Sequence, residues 1–222
     1  AVVDVEPLIL IEKTVLPVVL PEPGGEFTYH LTVQNLSSES VTVMEIKDTF
    51  PVVGPCLALV GEVIATGEAA SCTYTIEHRD TGEHLNEATI TVVDDEGNLV
   101  SVSGSSVATV AEQPASMLLS YSSPPSVPSS GSIVELTVDI LNTSPGDAIT
   151  IASLQDTLLG DLTVVGEQIQ STTCSLPQTL PPRVEDDAAT YQCVVTLLVE
   201  GAHGDLFIHS VSYTHLTLPT IV

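Results

Sequence analysis

The chain has 222 residues with 29 acidic side chains against four Lys and Arg, and its formal net charge of −25 argues against nucleic acid or an anionic membrane surface as a partner. Only three Phe and no Trp occur although 43% of the residues are apolar, so the core must consist mainly of Val, Ile and Leu, which favours strands. No apolar run reaches the roughly 18 residues of a membrane span. The sequence therefore predicts an all-β protein with no membrane insertion in this stretch.

Residues 1–6, AVVDVE, match in position residues 108–112 farther along the chain. We therefore expect residues 1–6 to be the tail of a preceding repeat. A first strand is predicted for residues 7–16, and a Pro- and Gly-rich turn at residues 16–25 leads into the next strand.

An internal repeat organises the chain, because residues 24–50 return in similar form as residues 131–158. Both copies begin with alternating apolar and polar residues, the period of a half-buried strand. A repeat of about a hundred residues predicts two domains rather than one. We assign these domains to residues 7–112 and 113–210.

Two polar positions recur in the repeat. An Asn follows the first strand of each copy (Asn35, Asn142), and an Asp-Thr pair begins at Asp48 or Asp156. Both Asn residues satisfy the glycosylation sequon, but their equal placement is explained as readily by the preference of Asn for a turn after a strand. We therefore favour the turn.

The four cysteines fall two to a repeat, Cys56 and Cys72 in the first and Cys174 and Cys193 in the second. Four cysteines permit three connectivities, and the repeat symmetry favours one disulfide within each domain. Zinc is the alternative, but no CxxC spacing occurs. Disulfides indicate an oxidising compartment, so we expect an extracellular or cell-surface protein.

The first repeat continues with a predicted strand at residues 72–76 and a polar turn at 78–86. A hairpin follows, with strands at 88–93 and 99–110 on either side of the acidic turn at 94–98. The total of about seven short strands is typical of an immunoglobulin-like β-sandwich. We therefore predict two such domains in tandem.

The second repeat, residues 113–210, lacks the acidic hairpin and the last strand, so we expect it to be incomplete. Residues 211–222 include VSYTHLTLPT, which resembles one reading frame of a transposon-derived sequencing adapter. We interpret residues 211–222 as adapter read-through and exclude them from the predicted fold.

The chain resembles the bacterial conserved-repeat domain of unknown function, an immunoglobulin-like module found in tandem in large secreted and cell-surface proteins. The motifs that carry the resemblance lie at residues 12–15, 21–25, 27–29, 33–35, 92–98 and 174–180. They are turn and core residues, so they bear on fold more than on function. The resemblance implies a spacer or stalk.

Two groups of residues have the chemistry of metal ligands. Asp94, Asp95 and Glu96 crowd one short turn with the hard oxygen ligands that calcium prefers, but the turn does not fit the EF-hand pattern, and a solvated hairpin tip is the favoured interpretation. His78, Glu83 and His84 all fall in the polar turn predicted above, and we interpret this turn as a surface loop rather than a metal site.

An isopeptide bond between side chains, known from other surface immunoglobulin-like modules, requires a buried Lys beside an Asn or Asp. Only Lys13 and Lys47 are available, and the second repeat has no lysine. We therefore expect no such bond, with the disulfides as the covalent links. The sequence also shows no nucleophile elbow, phosphate loop or paired acid motif, so we expect no enzyme and no cofactor.

Two functions are compatible with these patterns. The favoured one is a structural spacer or stalk of a larger secreted or cell-surface protein, in contact with neighbouring repeats of the same chain. The alternative is an adhesin-type or accessory module that binds protein or glycan through loops at one end of the sandwich.

Overall fold

A computed structural model describes residues 6–50, 54–126, 131–184, 187–202, 204–207 and 209–217. Residues 1–5 of the predicted repeat tail lie outside this part of the chain. The protein is all-β, and it divides into two compact units, the first ending at Glu112 and the second beginning at Gln113. No helix in the described residues is long and apolar enough to cross a membrane.

The described part of the first unit consists of eight strands and one short 3-10 helix, Gly54–Leu59. The strands are β1 (Ile9–Leu16), β2 (Val19–Pro21), β3 (Gly25–Asn35), β4 (Val41–Asp48), β5 (Val63–Ile64), β6 (Ala69–His78), β7 (Gly82–Val93) and β8 (Leu99–Ala111).

Two sheets of the first unit share one core. The first sheet has the antiparallel order β1-β3-β6, and the second has the order β2-β8-β7-β4-β5, in which β2 runs parallel to β8. Alternation along β3 buries Phe27, Leu31 and Val33, and they share the core with Val43 of β4 and Ile90 of β7. Burying each such side chain stabilises the fold by about 2 kcal/mol. The arrangement is sandwich-like.

The second unit also has eight strands in its described residues. They are β9 (Met117–Ser122), β10 (Ser132–Asn142), β11 (Ile149–Asp156), β12 (Gly160–Asp161), β13 (Ile169–Thr172), β14 (Gln178–Leu180), β15 (Thr190–Val199) and β16 (Val211–Thr217). One sheet has the order β13-β15-β10-β9, and in the other β11 pairs with β12, β14 and β16. The core takes Val138 from the first sheet and Ile151 and Leu154 from the second.

Each unit has its own disulfide, as the repeat symmetry predicts. Cys56 in the 3-10 helix pairs with Cys72 on β6, and Cys174 pairs with Cys193 on β15. No cysteine in the chain is free. All four are buried. These bonds fit an oxidising environment.

The predicted polar turn at residues 78–86 is wrong. Strand β6 extends to His78 and β7 begins at Gly82, so only residues 79–81 connect them. The alternation was hidden because two inward positions near the start of β7, His84 and Asn86, carry polar side chains instead of apolar ones. The hairpin formed by β7 and β8 agrees with the prediction.

Residues 211–217, which we interpret as part of an adapter peptide, form β16 in the structure. This strand pairs antiparallel with β11, and Val211 and Tyr213 pack against the core. Their alternation continues the inward and outward pattern of a strand, which explains the pairing. The adapter origin itself stays a prediction.

The recurring Asn residues form the same buried turn in both units. The Asn35 side chain donates to the carbonyl oxygens of Glu39 (2.7 Å) and Ile64 (2.9 Å) and accepts from the backbone amide of Ser37 (2.9 Å). Asn142 likewise donates to three carbonyl oxygens and accepts from the amide of Ser144. Both residues are fully buried, which supports the turn over a glycosylated surface.

We expect Asn35→Ala to lower the free energy of unfolding by about 2–4 kcal/mol, because three buried hydrogen bonds are lost. Chemical denaturation followed by circular dichroism measures this change. Ser38→Ala, at an exposed position of the same turn, is the matched control and should change stability little. Equal stability of the two variants would contradict the structural role of Asn35.

Candidate functional site

The candidate functional site is a buried polar group in the first unit that we call the lysine cluster: Lys13, Tyr29, Asp48, Tyr74 and Asn86. These residues come from β1, β3, β4, β6 and β7, so both sheets contribute. The side chains of Lys13 and Asp48 have no solvent exposure, and Asn86 is fully buried. Lys13 is buried because side chains alternate along β1, and its position lies on the same inward face as Ile9 and Val15.

Four side chains of the lysine cluster form a closed ring of hydrogen bonds. The Lys13 Nζ donates to Asp48 Oδ2 (2.5 Å) and to Asn86 Oδ1 (2.8 Å). The Tyr74 hydroxyl donates to Asp48 Oδ2 (2.6 Å) and accepts from Asn86 Nδ2 (3.0 Å). The remaining carboxylate oxygen, Oδ1, accepts from the backbone amide of Phe50 at 3.0 Å. Every polar side-chain atom of Lys13, Asp48, Tyr74 and Asn86 therefore has a partner.

Two aromatic rings enclose the ammonium group. Tyr29 and Tyr74 are stacked with centroids 5.4 Å apart, and the Lys13 Nζ lies 5.7 Å and 5.6 Å from their centroids, within cation–π range. Burial lowers the pKa of Lys13, although the hydrogen bond and charge of Asp48 oppose the shift. Burial, followed by the contact with Asp48, raises the pKa of Tyr74. The site therefore brings a nucleophilic nitrogen, a carboxamide and a carboxylate together away from water.

The sequence pattern singles out Lys13 but does not indicate which residues it contacts. The structure brings Asp48 and Asn86 to Lys13 across 35 and 73 residues of sequence. The sequence does place a lysine at an inward position of an apolar strand, and a buried lysine needs a polar or charged partner. Which partner it meets depends on how the two sheets face each other.

The second unit keeps only the aspartate of this arrangement. Strand pairing places Tyr121 where the first unit has its lysine and His209 where it has its asparagine. Asp156 Oδ1 lies 3.2 Å from His209 Nδ1 and also accepts from two backbone amides. The other oxygen, Oδ2, is buried without a hydrogen-bond partner. The equivalent site has neither an amine nor a carboxamide.

The acidic turn differs from the predicted group of three ligands. Asp94 is buried and accepts from the backbone amide (2.7 Å) and the side chain (2.8 Å) of Asn98, so it closes the turn. Glu39 takes its place, and carboxylate oxygens of Glu39, Asp95 and Glu96 lie within 4.8 Å of one another. The hydrogen bond between the Asp95 and Glu96 side chains raises the pKa of Glu96 to about 7 and lowers the pKa of Asp95. Opposite shifts of this kind are expected when two carboxyl groups share a proton.

The histidines predicted on a surface loop lie on strands. His78 ends β6, is buried, and stacks on His84 of β7 with ring centroids 4.2 Å apart. Its Nε2 lies 2.9 Å from the Tyr29 hydroxyl. Burial, with a smaller contribution from His84, lowers the pKa of His78. In the described residues these rings form no metal-ligand group, so they pack the end of the core.

Comparisons with known proteins give no family. No family model matches the chain, and no curated protein matches it. Among solved structures, the secreted serine protease VesC from Vibrio cholerae is similar at 10% identity and a TM-score of 0.27, over 88% of this chain and 49% of VesC. An Escherichia coli alpha-2-macroglobulin activated by porcine elastase is similar at 10% identity and a TM-score of 0.28, over 98% of this chain and 22% of that chain.

The chain thus spans about half the length of the first solved structure and about a fifth of the second.

We expect calcium and sodium chloride at equal ionic strength to raise the melting temperature equally, because both screen the net charge of −25. Thermal denaturation in the two salts tests this expectation. A larger increase in melting temperature with calcium would indicate a specific site if Glu39→Gln removes it. The control variant Glu62→Gln, at an exposed position away from Glu39, Asp95 and Glu96, should retain that increase.

We expect His78 to make the first unit more stable as the pH rises toward neutrality. The folded protein has the lower His78 pKa and so binds fewer protons than the unfolded chain below the ordinary value of 6.5, and stability then increases with pH. Denaturation of His78→Gln at several pH values should lack this increase. His30→Gln, on an exposed residue, should retain it, and a wild-type slope in His78→Gln would contradict the prediction.

Proposed function

We propose that the chain is a non-catalytic structural repeat, two immunoglobulin-like sandwiches in tandem, that serves as a spacer or stalk of a larger extracellular or cell-surface protein. One observation supports this most: each compact unit has its own core and its own disulfide. A unit whose core and disulfide are complete within itself can be joined in series with further copies. Its partners are then the neighbouring repeats.

The surface supports the same proposal. Of the four cationic side chains, Lys13 is buried, Lys47 and Arg79 form exposed pairs with neighbouring glutamates, and Arg183 is exposed. Little positive charge is therefore available to attract other molecules of this acidic chain, and net charge far from zero favours solubility. Repulsion between like-charged molecules is useful in a stalk, because it keeps separate stalks from associating with one another.

We expect the chain to resist force. In single-molecule pulling of the full chain between reference modules, each unit should unfold in a separate event, because each has its own core. Reduction of the disulfide should increase the extension gained when the second unit unfolds. The two cysteines are 19 residues apart in sequence, and each residue released adds roughly 3.6 Å when extended. Extension without force peaks would overturn the spacer role.

The alternative, a module that binds protein or glycan, has a distinct outcome. A glycan array and an extracellular-protein array probed with the full chain at physiological salt would show saturable binding for such a module. A spacer should show none. Saturable binding abolished by substitution of loop residues at one end of a unit would replace the spacer proposal with the binding one.

A further inference from the structure

The lysine cluster has the composition and geometry of a site that cross-links itself. We propose that Lys13 and Asn86 form an intramolecular isopeptide bond in the first unit, with release of ammonia. The Asn86 carbonyl oxygen is 2.8 Å from the Lys13 Nζ, so the adjacent carbonyl carbon is next to the nucleophile. The bond would join β1 of one sheet to β7 of the other.

The carboxylate of Asp48 is placed to activate the amine. It lies 2.5 Å from the Nζ and can accept a proton from the ammonium group, which leaves a neutral amine with a lone pair. No water competes for that proton, because both side chains are fully buried. Desolvation also lowers the pKa of Lys13, as in other lysines that act as nucleophiles.

Tyr74 is placed to protonate the leaving group. Its hydroxyl bridges Asp48 Oδ2 (2.6 Å) and Asn86 Nδ2 (3.0 Å), so a proton taken up by the carboxylate has a direct route to the departing nitrogen. The pKa of Tyr74 is raised by burial, so the phenol holds its proton at neutral pH. Amide nitrogen leaves only when protonated, which makes this bridge necessary to the reaction.

The reaction balances without any other reactant. The neutral Nζ forms a bond to the Asn86 Cγ, and the carbonyl electron pair moves to Oδ1. Asp48 delivers its proton through Tyr74 to Nδ2 and takes a second proton from Nζ. The electron pair on Oδ1 then restores the carbonyl, and the bond between Cγ and Nδ2 breaks. The products are a secondary amide, ammonia and a protonated Asp48.

The geometry favours Asn86 over Asp48 as the acyl group. An ionised carboxylate is a poor electrophile, and that of Asp48 has accepting roles at both oxygens, from the amide of Phe50 at Oδ1 and from Lys13 and Tyr74 at Oδ2. The carboxamide is neutral and its nitrogen already contacts the hydroxyl that would protonate it. Asp48 is therefore the proton acceptor and Asn86 the group attacked.

A bond at Lys13 is contrary to the sequence-based expectation that the chain forms no isopeptide bond. The second unit supplies an internal comparison, because Tyr121 and His209 stand where the amine and carboxamide would be. Any cross-link must therefore form in the first unit. The chain has only two lysines, Lys13 and Lys47, which makes assignment of the bond simple.

The test is the mass of the full chain, purified in folded form and then reduced. We expect a mass lower than that of the sequence by one ammonia. Tryptic digestion should fail after Lys13 and should leave the peptide of residues 1–47 joined to that of residues 80–183, which contains Asn86. A wild-type chain that is folded and has the full sequence mass overturns the proposal.

Variants assign the atoms. Lys13→Arg keeps the positive charge but has no amine that Asn86 can acylate, so it should restore the full mass, as should Asp48→Asn. The exposed Lys47→Arg should still lose ammonia. Circular dichroism verifies that each variant is folded. Ammonia loss that persists in Lys13→Arg would come from cyclisation of an asparagine and overturns the proposal, as does loss of water with Lys13 linked to Asp48.

Discussion

A positive charge buried between two sheets is the constraint on which the first unit depends. Water does not reach the Lys13 ammonium group, so Asp48 and Asn86 must satisfy it, and they arrive on β4 and β7 of the opposite sheet. Removal of one partner from a buried ion pair typically costs about 3–5 kcal/mol. The Lys13 Nζ therefore constrains how β1 faces β4 and β7 of the opposite sheet. The disulfide of this unit has a more local effect, since it ties the 3-10 helix to β6.

Local and repeated signals in the sequence predicted much of the fold. The alternation of apolar and polar residues predicted β3 and the β7–β8 hairpin. The repeated cysteine spacing predicted both disulfides. Prediction failed where inward positions are polar, as at Asn86, because hydrophobic periodicity does not register them. It also failed where distant segments meet. Glu39 joins the acidic turn, and Asp48 joins Lys13, only after the strands have been arranged in space.

The two units show what the fold requires and what it tolerates. Both retain the buried Asn turn and the aspartate at the end of the equivalent strand. The stacked tyrosines of the first unit are replaced by Leu136 and Val195 in the second, by strand register. The space between the two sheets can therefore hold either a satisfied polar ring, as in the first unit, or aliphatic side chains beside a buried aspartate, as in the second. Buried ion pairs and hydrophobic residues interchange in a similar way in other proteins.

The buried Asn turn has a consequence for production of the protein. Asn35 and Asn142 satisfy the glycosylation sequon, yet each side-chain nitrogen is occupied by backbone carbonyl groups inside the fold. A eukaryotic secretory host could attach a sugar only before the turn closes, and the glycan would then keep the chain from closing it. Folding and glycosylation compete for one nitrogen atom, so bacterial periplasmic expression, which forms disulfides without this modification, suits the protein better.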